Sequence, residues 1–262
     1  DSVYEVVCTV DKQPCFLDKH LDRLFASAKA ISLVVPRDRE WFREQLKSTL
    51  GAANNDESYV RIIVTRGVGE INIDPSTCQS PNIIIIVMEI KEYPESCYEK
   101  GIHVALVSIK RNASDALNPN VKTGNYLNNV LAKMEAEKLG AQDAIMVNPW
   151  GYLTEGTTSN LFFVCEGHIL TPSMECGILS GITREIIIQL AKERGIEVIE
   201  RVIMPEELAD AKEVFLTGTA AEVTPVGRID DNTYVVGDMV KNMMEAYETL
   251  VGKTPASEAA AE

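Results

Sequence analysis

Residues 110 to 121, Lys-Arg-Asn-Ala-Ser-Asp-Ala-Leu-Asn-Pro-Asn-Val, are polar and carry a proline, and they separate two stretches that each hold their own strand and helix patterns. A chain of 262 residues divided in this way is expected to fold as two domains, each with its own core. The expected layout is a small N-terminal α/β domain over 1–107, a connection over 108–121, a larger domain over 122–252 and a disordered small-residue tail over 253–262.

In the first half, Val3 to Val10 reads as a strand ended by the turn Asp11 to Pro14, so the chain begins inside structure. Asp18 is expected to cap a helix from His20 to Ile31 whose apolar stripe is Leu21, Leu24, Phe25, Ala28 and Ile31. Arg23 lies off that stripe and is read as available for other work. A second helix is expected from Arg39 to Leu50. The alternation in Tyr59-Val-Arg61-Ile-Ile-Val-Thr65 puts Tyr59, Arg61, Ile63 and Thr65 on one face of a strand. Asn82 to Ile90 is so uniformly apolar that it is expected to be buried on both faces.

The second half opens on Lys122-Thr-Gly124-Asn125-Tyr126, a polar turn read as leading into a helix at Asn125. Its apolar positions Leu127, Val130, Leu131 and Met134 recur with helical period. A lysine that attacks a carbonyl needs an unprotonated amine, hence desolvation or neighbouring positive charge, and a rigid backbone to aim it. Gly124 and the helix start could supply that aim. Later, Tyr152 to Cys165 is an apolar strand pair interrupted by Glu155 and several hydroxyls, and a carboxylate there needs a partner if it is buried. On local evidence an exposed edge glutamate is an equal reading. Ile182-Thr183 begins a helix capped by Ser180 or Gly181, and helix N-termini hold anions through orphan N–H groups. Thr217-Gly-Thr219-Ala220-Ala is a second small-residue turn. Each is equally an ordinary cap or connection when taken alone, and Tyr126 is equally a packing residue.

Composition narrows the function. A formal charge of −14 disfavours nucleic acid and anionic membranes as partners, since neither would gain counterion release. No apolar run approaches the roughly 20 residues of a membrane span, and Asp-Ser-Val-Tyr-Glu is not a signal peptide. Cys8, Cys15, Cys78, Cys97, Cys165 and Cys176 are dispersed without metal-ligand spacing, which argues for a reducing, cytoplasmic compartment and against a metal site.

Taken in chain order, His20-Leu-Asp-Arg23-Leu, Tyr59-Val-Arg61, Arg111-Asn112, Lys122-Thr-Gly-Asn-Tyr126, Glu155-Gly-Thr-Thr-Ser-Asn160, Gly181-Ile-Thr183-Arg, Glu200-Arg201 and Thr217-Gly-Thr-Ala-Ala resemble the fold-type IV pyridoxal-phosphate enzymes, from Val3 to about Val226. That family includes branched-chain and D-amino-acid aminotransferases. The resemblance implies an α+β fold of a small α/β domain and a larger barrel-like one, with pyridoxal 5'-phosphate between them. It implies Lys122 as Schiff base and proton shuttle and Glu155 at the pyridine nitrogen. Arg23, Ile182, Thr183 and Thr219 would hold the phosphate, and Tyr126 the phenolic oxygen.

For the substrate, the resemblance implies branched-chain L-amino acids with 2-oxoglutarate. The loop Gly67 to Pro81 contains no Lys, Arg or His, so the carboxylate trap of the D-amino-acid branch is missing. Tyr4 matches an aromatic position of the apolar side-chain pocket, Tyr59-x-Arg61 resembles the branched-chain spelling, Arg61 or tyrosine hydroxyls would meet a second carboxylate, and the amides near Thr219 and Ala220 would receive the α-carboxylate. The spelling Lys122-Thr-Gly-Asn has one glycine fewer than the branched-chain form, as in the D-amino-acid branch. The family also has further residues ahead of the position of Asp1, and it builds its pocket with a loop from a second subunit, which implies a homodimer or larger. The alternatives are a D-amino-acid aminotransferase, an aminodeoxychorismate lyase, and a catalytically silent anion-binding or assembly protein.

Overall fold

The computed structural model describes residues 1–91 and 93–253. The chain forms two compact units, one made of Asp1–Lys91 with Val121–Asn125, the other of the rest.

The first unit is a four-stranded antiparallel sheet in the order β2-β1-β3-β4, built from β1 (Ser2–Val10), β2 (Gln13–Pro14), β3 (Ser58–Thr65) and β4 (Asn82–Glu89), with α1 (Leu17–Ala30) and α2 (Arg39–Ala53). Period-two alternation decides which residues face the helices. Val3, Val7, Val60, Ile62 and Val64 pack with Leu21, Leu24, Phe42 and Leu46 into one core. Tyr59, Arg61 and Ile63 fall on the opposite face as expected, half-buried. Two expectations fail here. Strand β4 is not buried on both faces: it is the sheet's edge strand, and although Ile83, Ile85 and Val87 meet the core, Ile84, Ile86 and Met88 are exposed. Asp18 does not cap α1, because the chain turns into the helix earlier, through Phe16 in the left-handed conformation. Asp18 lies in the first turn, where a carboxylate suits the macrodipole.

The second unit holds α3 (Glu95–Lys100), β5 (Ile102–Leu106), α4 (Leu127–Lys138), β6 (Asp143–Val147), β7 (Leu153–Gly156), β8 (Asn160–Cys165), β9 (His168–Pro172), α5 (Ile182–Glu193), β10 (Val198–Arg201), β11 (Glu213–Gly218), β12 (Glu222–Ile229), β13 (Asn232–Thr233) and α6 (Asp238–Val251). Its sheet runs β10-β9-β8-β11-β12-β5-β6-β7, and β7 pairs back onto β8. That last pairing closes β8-β11-β12-β5-β6-β7 into a ring, which is the barrel-like domain expected. Ile145, Leu153, Leu161, Phe163, Val214 and Val226 belong to its largest core cluster.

Helix α4 turns its apolar stripe outward. Its buried residues are Asn129, Ala132 and Ala136, whereas Leu127 is 64% exposed and Val130, Leu131 and Met134 are exposed too. The two alanines pack with Ala105, Ala144 and Met146, and side chains this small let the helix lie close to the strands.

The expected domain limits also shift. Strand β5 pairs with β12 and β6, so residues 102–106 belong to the second unit. Much of the expected connection is folded into that unit as well, with Arg111 N–H bonded to Val147 O at 2.9 Å. Lys122 belongs to the first unit, since Thr123 bridges Val3 of β1. The expected tail falls outside the described residues from 254 onward, but its first member, Lys253, pairs with Glu222 at 2.7 Å.

Candidate active site

In the first unit the chain from Lys122 to Gly124 lies along β1 as an added edge. Tyr4 N–H donates to Lys122 O at 3.1 Å and Gly124 N–H to Ser2 O at 2.9 Å. Lys122 N–H donates to Ser27 Oγ, a buried hydroxyl of α1, at 3.1 Å. The lysine backbone is thus fixed on one side by a strand and on the other by a helix. Its Nζ stands 4.5 Å from the centre of the Tyr4 ring, and the Arg61 guanidinium stands 4.3 Å from the same centre. Both are cation–π distances. Arg61 Nε is buried and meets no acceptor among the described residues.

Arg23 is not available in the sense expected. Its Nε donates to Glu5 Oε1 at 2.7 Å and its Nη2 to Glu5 Oε2 at 2.9 Å. His20 Nδ1 lies 2.7 Å from the same Oε2. Burial raises the Glu5 carboxyl and the Arg23 and His20 bonds outweigh it, so its pKa falls to about 2. Burial pushes His20 down, as do the Arg23 and Lys122 charges, against a pull upward from Glu5. The imidazole is therefore neutral and donates its Nδ1 proton to the carboxylate.

In the second unit Glu155 is buried at the end of β7. Arg111 Nε donates to its Oε1 at 2.8 Å, and Leu179 N–H and Asn160 Nδ2 donate to Oε2 at 2.9 and 3.3 Å. Arg111 is itself buried and reaches Asn128 and Asn129 on α4. Asn160 also donates to Leu179 O at 3.0 Å, which ties β8 to the segment ahead of α5. Gly181 caps α5 with no side chain, leaving the first-turn N–H groups of Ile182 and Thr183 uncapped from that quarter. The approach is close: a Cβ on Gly181 would stand 1.9 Å from Asn160 Oδ1. Thr217, paired with Asn160 across β11 and β8, has a buried Oγ1 that meets no partner among the described residues. Thr219 and Ala220 follow it in the turn from β11 to β12. Tyr126 is the N-cap of α4, so the helix begins at Leu127 rather than Asn125.

The structure therefore gathers Lys122, Tyr4, Arg61 and Arg23 in the first unit, with Tyr59 on the same strand as Arg61. Glu155, Ile182, Thr183, Thr219, Ala220 and Tyr126 belong to the second. Sequence reasoning missed Glu5, His20 and Ser27, and it gave Arg111 no role. The one local signal was a carboxylate at a core-facing strand position, between Val3 and Val7.

The model of the family described as amino-transferase class IV matches residues 2–229. A branched-chain-amino-acid aminotransferase of Pseudomonas aeruginosa is 34% identical over 246 residues, covering 92% of this chain and 80% of that protein. The crystal structure of the Escherichia coli branched-chain amino acid aminotransferase superposes with a TM-score of 0.92 at 34% identity, over 97% of this chain and 87% of that one. A further branched-chain amino acid aminotransferase, from T.th. and solved with pyridoxamine 5'-phosphate, gives 0.91 at 32% identity, over 98% and 88%.

Proposed function

The chain belongs to the class IV aminotransferases, and from that premise we propose that it moves the amino group of branched-chain L-amino acids to 2-oxoglutarate, with Lys122 as the reacting amine. The cofactor of the family is pyridoxal 5'-phosphate. When bound it supplies an electron sink for the charge left on a substrate carbon that loses a proton.

The residues fit such a group. The side-chain-free cap at Gly181, the first-turn amides of Ile182 and Thr183 and the buried Thr217 hydroxyl, without a partner among the described residues, together form a donor set suited to a phosphate. Thr219 and Arg23 complete the proposed phosphate ligands. Glu155 would hold the proton of the ring nitrogen and Tyr126 the phenolic oxygen. Lys122 Nζ would take the proton from the substrate's α-carbon and hand it on to a second carbon, the aldehyde carbon of the cofactor, so that the amino group leaves the substrate. Its two-sided backbone fixing is the observation that carries this role, because an amine that both receives and delivers a proton must return to one place.

Substrate recognition is assigned to the Tyr4 and Tyr59 rings for an apolar side chain and to the amides near Thr219 and Ala220 for the α-carboxylate. Arg61, whose Nε meets no acceptor among the described residues, is assigned to the distal carboxylate of glutamate. We assign a homodimer or larger homo-oligomer, supported by the exposed apolar stripe of α4. A cytoplasmic location is supported by the six cysteines, all of them thiols.

Borohydride reduction of the cofactor-loaded protein followed by peptide mapping tests the lysine, with the label expected on Lys122. A screen with L-leucine, D-alanine and aminodeoxychorismate tests the substrate. Turnover of D-alanine alone, or pyruvate released from aminodeoxychorismate, overturns the branched-chain reading.

A further inference from the structure

Helix α1 carries a polar stripe as well as its apolar one, with His20 and Ser27 buried and Arg23 partly so. His20, Arg23 and Ser27 recur at helical spacing, and the first two converge on Glu5 of β1. Glu5 is fully buried on the strand that supplies Val3 and Val7 to the apolar core. An ion pair in such a place adds little stability over apolar packing of the same volume, so cohesion alone is a poor account of it. What the pair does supply is direction. Two parallel bonds, from Nε at 2.7 Å and Nη2 at 2.9 Å, fix the plane of the guanidinium and the line along which its other terminal nitrogen points. A guanidinium on its own stem has several torsions and no such line.

The geometry points to Glu5, braced by His20, as a positioning residue for Arg23, aiming a cation at the phosphate of the cofactor. This rests on the assignment of Arg23 to the phosphate. His20 serves because a neutral imidazole holds the second carboxylate oxygen at 2.7 Å without adding charge.

The test compares binding of pyridoxal 5'-phosphate and of pyridoxal, which lacks the phosphate, to the apo protein by absorbance titration. The readout is the ratio of the two dissociation constants. Glu5→Asp keeps the charge and draws the carboxylate back by one methylene, so it separates aim from attraction. It is expected to lower the preference for the phosphorylated form about tenfold while leaving pyridoxal binding unchanged. Arg23→Met should also lower it, and the double variant should be no worse than Arg23→Met alone, because Glu5 acts through Arg23.

A wild-type ratio in Glu5→Asp with a collapsed ratio in Arg23→Met overturns the positioning role and leaves Arg23 in place. A wild-type ratio in Arg23→Met overturns the assignment of Arg23 itself. Equal loss of both ligands in Glu5→Asp makes Glu5 a folding residue only. Should Glu5→Asp fail to fold by circular dichroism, His20→Gln decides: a smaller loss of the same preference is expected, and an unchanged ratio overturns the inference.

Discussion

Arg111 Nε and Glu155 Oε1 stand 2.8 Å apart with 9% and 6% of their side chains exposed, so the second unit buries a full ion pair beside the cap of α5. Removing one member strands the other charge in a low-dielectric interior, at a cost of about 3–5 kcal/mol. Arg111→Met should therefore lower the denaturation midpoint of the apo protein sharply. The double variant Arg111→Met with Glu155→Leu should recover much of the loss, since no charge is then left buried. Urea titration of the three variants checks this. A double variant as unstable as Arg111→Met alone would assign the pair's effect to packing.

Acid should weaken the first unit before neutral or mildly alkaline pH does. The Glu5 carboxyl has a folded pKa of about 2 against 4.5 in an unperturbed chain, so its contribution is complete above 4.5 and is lost as pH falls toward 2. The full amount is about 3 kcal/mol. His20 acts in the same direction: its folded pKa lies below 6.5, so the unfolded chain takes up a proton first as pH drops, and stability begins to fall there. Urea midpoints measured from pH 7 down to 3 should decline in two stages. Glu5→Gln should flatten the lower one.

These two networks also show where sequence reading stops. Alternation in Tyr59 to Thr65 identified a strand and its outer face because a pleated strand has only two sides. Helical period in α4 identified an amphipathic helix but not which side meets the protein. Ala132 and Ala136 are too small to stand out in the pattern, yet they are on the face the helix buries. In the same way Glu155 was legible as a carboxylate among apolar residues, whereas its partner lies 44 residues earlier in a segment that reads as a connection. Motif resemblance supplied the candidate site residues. It was silent on Glu5, whose partners on α1 follow 15 and 18 residues later, beyond any local pattern.

The α4 stripe yields a prediction about assembly. Leu131 and Met134 are 43% and 48% exposed in the single chain, where a polar substitution shifts stability by no more than roughly 0.5 kcal/mol. If copies of the chain meet across this stripe, Leu131→Glu combined with Met134→Lys should leave each chain folded and reduce the mass measured by light scattering to that of a monomer. A mass unchanged by the double substitution removes α4 from the interface.

Two glycines should respond to alanine with opposite signs. Gly51 lies within α2, and a Cβ there would meet nothing within 4 Å. Gly51→Ala should raise stability by about 0.4–1 kcal/mol, chiefly by narrowing the unfolded ensemble. Gly181 has ordinary backbone angles, φ −70 and ψ 133, so alanine is conformationally acceptable there too. Space is what forbids it, because the new Cβ would fall 1.9 Å from Asn160 Oδ1 and 3.3 Å from Arg184 Cβ. Asn160 must then swing away, giving up its bonds to Glu155 Oε2 and Leu179 O. Asn160 is buried, and leaving its amide unpaired costs about 1–3 kcal/mol. Gly181→Ala should therefore lower the urea midpoint and weaken phosphate-dependent cofactor binding together, since the displaced side chain and the α5 cap are one contact. A variant that loses stability yet binds pyridoxal 5'-phosphate as tightly as the parent would separate the cap from the phosphate site.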